Sequence, residues 1–226
     1  MSPRPFAVAD ALLRDPAAVI ARCHDAQGAR DVARAALLVV AVGGAVFGAT
    51  LGAFRGELQP LFAALKIPVA TLLTLAVGGP ALWAIARAFD RRWTLKTTLA
   101  LMLASGARSS LVLLAAAPLV GIAIGFGLPY SLLKQLAAIA YGMAGLSGLS
   151  FALMALGPAE GRNGAVASFV GVFLVVGAQA AWILRPFIGD PADARPPLFA
   201  HGRVAGGVTG SLLGGRPAPP ASSDPR

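Results

Sequence analysis

The apolar residues of this chain do not alternate with polar ones at a period that would cover a core; they run. Five stretches, residues 35–54, 67–89, 98–127, 135–156 and 164–184, are nearly free of charge, and the polar residues collect between them. A helix rising about 1.5 Å per residue needs about 20 apolar residues to cross about 30 Å of hydrocarbon. Four of the stretches therefore predict one transmembrane helix each. The first is ended by Arg55-Gly56-Glu57. The second is flanked by Lys66, able to snorkel, and by Arg87, Asp90, Arg91 and Arg92. The fourth is bounded by Gly157-Pro158, and the fifth is stopped by Arg185-Pro186. The remaining stretch, 98–127, is longer than one upright span. Either its helix is long and tilted, or its first turns lie in the interface and the span begins near Arg108.

Ahead of these runs, Asp15-Pro16 predicts a helix start, with Asp15 as N-cap and Pro16 at the first helical position. Val19, Ile20 and Cys23 then share a face from which Arg22, Asp25 and Arg30 are absent, which fits a short interfacial helix or a plain exposed lead-in to the first span. The expected organisation is a cytoplasmic segment with an interfacial helix (1–33), a five-span membrane domain (34–189), and a tail rich in Pro, Gly and Arg (190–226) that is disordered towards its end. The fold class is all-α: a polytopic integral membrane bundle of about five transmembrane helices. Pro68, and Gly78-Gly79-Pro80 further on, predict a kink or break in the second span, because proline removes a backbone hydrogen bond.

Composition agrees with this reading. The chain is 57% hydrophobic and 13% charged, with a mean hydropathy of +0.73, whereas a soluble domain has about a quarter of its residues charged. All of Asp10, Asp15, Asp25, Asp31, Glu57, Asp90, Glu160, Asp190, Asp193 and Asp224 fall outside the five stretches, as the cost of a carboxylate in hydrocarbon demands. The net charge of +9 then reads as arginines meeting anionic lipid headgroups rather than nucleic acid. The first apolar run is interrupted by Asp10 and Arg14, so no signal peptide is expected. With the N-terminus inside, Arg22, Arg30, Arg34, Arg87, Arg91, Arg92, Lys96 and Arg162 fall on the cytoplasmic side. Arg55, Lys66, Lys134, Arg185 and Arg195 fall on the other. The bias favours an N-in, C-out protein of a bacterial inner membrane.

Candidate chemistry changes this picture little. Gly44, Gly48, Gly52 and Gly56 form a stripe that lets another helix approach closely, whether from the same chain or from a second copy or another membrane protein; Gly121, Gly125 and the row Ala140, Ala144, Gly148, Ala152 offer partner surfaces. Gly145-Leu146-Ser147-Gly148 matches the nucleophile motif of rhomboid intramembrane proteases. Such a serine needs a histidine base, and His24 and His201 both lie outside the apolar stretches, so Ser147 and Ser150 read as packing hydroxyls. Arg108, beside Ser105, Ser109 and Ser110, is the one charge expected near membrane depth. It is a candidate for lipid binding or a polar path, or else it marks the interfacial start of its span. Arg91, Arg92 and Trp93, and Trp182 with Arg185, suit headgroup-level anchors. No catalytic, metal or cofactor-binding pattern is legible, and no cofactor is expected.

Four segments carry a family resemblance: LLRDP at 12–16, LKIPVATLLTLAVGGPALW at 65–83, WTLKTTLALML at 93–103, and WILRPFIGDP at 182–191 followed by PPLF at 196–199. In this order they resemble bacterial multi-span proteins related to the Yip (Ypt-interacting protein) family, some of which are labelled actin-binding. The resemblance implies five spans and a cytoplasmic N-terminus; the Rab contacts of eukaryotic members do not transfer. Arg108 departs from the family's pattern and leaves the bounds of its span open. The expected function is non-enzymatic, through helix packing, assembly or membrane organisation. The alternative is a small-solute or ion channel or transporter lined by Arg108 and the Gly78-Gly79-Pro80 break.

Overall fold

The structure is a computed structural model that describes residues 5–88, 91–157, 164, 167, 170, 171 and 173–175. Its elements are α1 (Pro5–Arg14), α2 (Pro16–Cys23), α3 (Ala26–Gly52), α4 (Gln59–Ala88), α5 (Leu95–Gly125) and α6 (Tyr130–Leu156). Helix starts follow side-chain caps that satisfy otherwise orphaned backbone N–H groups. The Asp15 carboxylate accepts from the Ala18 N–H at 3.0 Å, Asp25 from that of Gly28 at 2.8 Å, and the Thr94 hydroxyl from that of Thr97 at 3.1 Å.

Helices α3 to α6 are each long and apolar enough to cross a membrane. Facing positions fix their arrangement. Gly44, Gly48 and Gly52 of α3 meet Pro68, Ala63 and Gln59 of α4 in descending order, so these two helices are antiparallel. Gly78 and Gly106 meet Met102 and Leu75, which sets α4 antiparallel to α5, and Gly43 and Gly121 meet Ser110 and Thr50, which sets α3 parallel to α5. Helix α5 therefore runs between α3, α4 and α6. One core cluster, around Leu12, Val19, Val32, Leu82 and Phe151, joins α1 and α2 to one end of the bundle. A second, around Phe47, Leu51, Leu113 and Leu133, fills the other end. The outward faces are apolar as well: Leu37, Val42, Leu65, Leu73, Leu119 and Ile139 are all exposed.

Several boundaries differ from the sequence reading. Helix α3 begins at Ala26, because Asp25 caps it well before the hydrocarbon-like run starts; α4 begins at Gln59, enclosing Lys66, which is buried rather than reaching out past a helix end. Helix α4 passes through both Pro68 and Pro80 without interruption, so Gly78-Gly79-Pro80 is not a break. Each proline deletes one i→i−4 bond, and the ladder on either side carries the helix across it. Helix α5 is likewise one helix from Leu95 to Gly125, and its first turns are buried against the bundle at Thr97, Thr98, Leu101 and Met102. At the N-terminus there are two short helices. The Val19 and Cys23 face of α2 is packed against the bundle, together with Val8 and Leu12 of α1. Most of the fifth apolar stretch, and with it Arg162, Trp182, Arg185 and the tail 190–226, lies outside the described residues.

Candidate functional site

Helices α3 and α4 approach one another backbone to backbone on a row of glycines. A Cβ added to Gly48 would overlap the Ala63 carbonyl, with its carbon at 2.7 Å, and lie 2.9 Å from the Ala64 Cα. One added to Gly52 would sit 2.6 Å from the Pro60 Cα, and one added to Gly44 would sit 3.1 Å from Pro68 Cγ. Separations this small let two backbones exchange dispersion contacts that side chains would hold apart, the main source of packing energy where the surroundings are as apolar as the helices. The partner of these glycines is α4 of the same chain. The Ala140, Ala144, Gly148, Ala152 row is also buried, and its Gly148 lies against α5. Gly56 stands apart from the helical three. It occupies the turn after α3 with φ +78°, next to Glu57 at φ 51°, and has no neighbour within 4 Å of an added Cβ.

A polar seam joins α5 to α6. The Ser105 hydroxyl donates to the Gly148 carbonyl at 2.7 Å, and the Ser109 hydroxyl donates to the Ser105 carbonyl at 3.3 Å. Gly148 is required there, because a Cβ would fall on Ser109 Oγ and 2.9 Å from the Ser105 carbonyl oxygen. Ser110 belongs to another face of α5: it is fully buried against Gly43 of α3, and its hydroxyl has no partner among the described residues. Arg108 flanks the Ser105–Ser109 seam, one residue before Ser109. At 1.5 Å per residue it stands about 20 Å from the start of α5 and about 26 Å from its end. Its Nε and Nη1 are buried and, among the described residues, have no hydrogen-bond partner. A guanidinium stays protonated whatever its surroundings, so this is a standing positive charge near mid-helix. Such a charge at bilayer depth costs about 3 kcal/mol on insertion scales and more for an isolated helix.

The two ends of the bundle carry aromatic and basic pairs. Trp93 is 7% exposed, its carbonyl accepting from Trp83 Nε1 at 3.3 Å and its ring 6.1 Å from that of His24. It therefore ties α2, α4 and α5 together, and its ring is not turned outward. Arg92 is exposed, and Arg91 lies 3.3 Å from the position of a Cβ on Gly157. An outward aromatic at this end is Trp83, with Arg87 over its ring, 5.7 Å from the centre. This i,i+4 pair escaped the sequence reading, although its spacing was there to be read. At the other end Lys134 lies 4.7 Å over Tyr130, which stacks on Phe54. Cys23 is sealed under α2, and burial pushes its thiol up to about 12. Among the described residues no group of three His, Cys, Asp or Glu is placed to hold a metal, and the Ser150 hydroxyl bonds to the Ser147 carbonyl of its own helix at 2.8 Å. No family model, no curated protein and no solved structure matches the chain.

Proposed function

We propose that this chain is a five-span protein of a bacterial inner membrane, with its N-terminus in the cytoplasm, that acts without covalent chemistry by helix packing and assembly in the bilayer, as a Yip-like protein would. The observation that supports this most is the distribution of small residues. Gly44, Gly48 and Gly52 of α3 are consumed against α4 and Gly43 against α5, so these helices close on one another. Gly142 and Gly145 of α6, in contrast, face away from the described residues, none of which lies within 4 Å of an added Cβ. That leaves an outward surface on which the backbone of a second helix, from another copy or another membrane protein, can approach closely. Exposed Leu and Val along all four long helices supply the lipid-facing surface such a protein needs. Among the described residues, the end that carries α1 and α2 also carries Arg14, Arg22, Arg30, Arg34, Arg87, Arg91, Arg92 and Lys96, against Arg55, Lys66 and Lys134 towards the other, which favours the N-in orientation.

The test has two parts. A reporter fused after Arg195 reads as external for five spans with the N-terminus inside; a cytoplasmic signal refutes the count or the orientation. Cysteine crosslinking at Gly142 in native membranes captures a neighbouring chain, and a purely monomeric product removes the assembly reading. The channel or transporter reading retains one supporting observation, Arg108 at mid-helix, and has lost the other, since α4 is unbroken at Pro80. Solute flux in proteoliposomes that disappears in Arg108→Ala replaces the packing reading with the transport one.

A further inference from the structure

We infer that Arg108 and the Ser105–Ser109 seam of α5 and α6 form a binding site for a phosphate group, entered from the side of the bundle. The argument starts from a missing counter-charge. Among the described residues the carboxylates are Asp10, Asp15, Asp25, Asp31 and Glu57, and none lies in α4, α5 or α6. Nε and Nη1 of Arg108 are nevertheless buried with no partner among the described residues. The adjacent hydroxyls do not relieve this, because Ser105 and Ser109 direct their protons to carbonyls. Among the described residues, this charge is therefore left without a counter-charge.

The residue as a whole is only partly buried, so part of its side chain is open to the outside of the bundle while Nε and Nη1 are covered. A helical side chain also leans towards its helix's N-terminus, here towards the end that carries α1, α2 and most of the basic residues. An anion approaching along the α5–α6 seam from that end finds planar N–H donors able to hold two of its oxygens at once. The arginine fork suits phosphate, whether on a phospholipid headgroup drawn into the seam or as the free ion.

Full-length protein in neutral detergent tests both sources. In native mass spectrometry with phosphatidylglycerol or phosphatidylcholine, wild type should retain the anionic lipid roughly tenfold better, Arg108→Gln should lose that preference, and Arg108→Lys should keep only part of it. Arg30→Gln, an exposed control at the basic end, should leave it unchanged. Inorganic phosphate alone raises the Tm of wild type but not of Arg108→Gln if the free ion is the ligand; the lipid preference without this rise identifies the headgroup. Equal retention of both lipids by wild type together with no phosphate-dependent Tm rise overturns the inference. So does an equal loss of the preference in Arg30→Gln, which would place the binding on the basic end at large. Wild type and Arg30→Gln alone give both of these results, so they can overturn the inference even if Arg108→Gln fails to fold.

Discussion

Replacing Gly48 with alanine adds one methyl group where α3 and α4 touch backbone to backbone. The new carbon would stand 2.7 Å from the Ala63 carbonyl carbon and 2.9 Å from the Ala64 Cα, against an ordinary carbon–carbon separation of about 3.5–4.0 Å. Neither neighbour is a side chain that can turn aside, so the two helices must part by about 1 Å. A gap of that size forfeits a quarter to a half of the attraction, about 0.1–0.2 kcal/mol, at each carbon pair it opens. Over about 30 such pairs the loss is about 1–3 kcal/mol. The better helix propensity of alanine returns up to about 1 kcal/mol, leaving a net destabilisation of about 0–2 kcal/mol and a cost of about 1–3 kcal/mol relative to a glycine-to-alanine change with no such clash. Gly121→Ala is the matched control: the described atom its added Cβ meets is Thr50 Cγ2 at 3.5 Å, an ordinary contact, so the propensity gain of up to about 1 kcal/mol dominates. The assay is unfolding of the two variants and wild type in mixed micelles by increasing SDS fraction. If Gly48→Ala unfolds at the same fraction as Gly121→Ala or later, the α3–α4 contact is not as close as described and the reasoning fails.

Three further outcomes follow from individual contacts. Asp25→Ala removes the acceptor for the Gly28 N–H and should destabilise the α2–α3 corner by about 1 kcal/mol, with Asn restoring most of it; thermal unfolding reads both variants. Ser105→Ala deletes the hydroxyl bond to the Gly148 carbonyl and should cost about 0.6 kcal/mol, the usual scale for a bond between membrane helices, measured in the same SDS titration. Cys23 should resist maleimide at pH 7 until the protein is unfolded, since its thiol is buried and shifted up to about 12 from 9.0. Above pH 9 the unfolded chain sheds this proton while the folded one keeps it, so stability from this group falls as pH rises through that window. Labelling as fast in the folded protein as in the unfolded one contradicts the packing of α2.

The length and apolarity of the helices were legible in the sequence because hydrocarbon imposes a length on any span, and the runs at 35–54 and 135–156 meet it. Helix ends were not, where they depend on caps rather than on apolarity: α3 starts at Ala26 because of Asp25, nine residues before the apolar run. The close-packing role of small residues was also legible as a spacing of four along α3. Its partner was not, since a glycine row fits any surface that comes near it; the tertiary arrangement gives it Ala63 and Pro60 of α4. The same limit applies to Trp93 and Arg108. Composition assigns a tryptophan beside arginines to an interface, but the convergence of α2, α4 and α5 encloses it. Sequence makes Arg108 exceptional by its charge alone. That it stands within one unbroken helix, beside neighbours that spend their hydroxyls on carbonyls, came from the tertiary structure. Local pattern fixes what a segment is able to do, because its physics lies in the segment itself. Which of two identical-looking faces is covered depends on residues far away in the chain, and only the packed bundle holds that information.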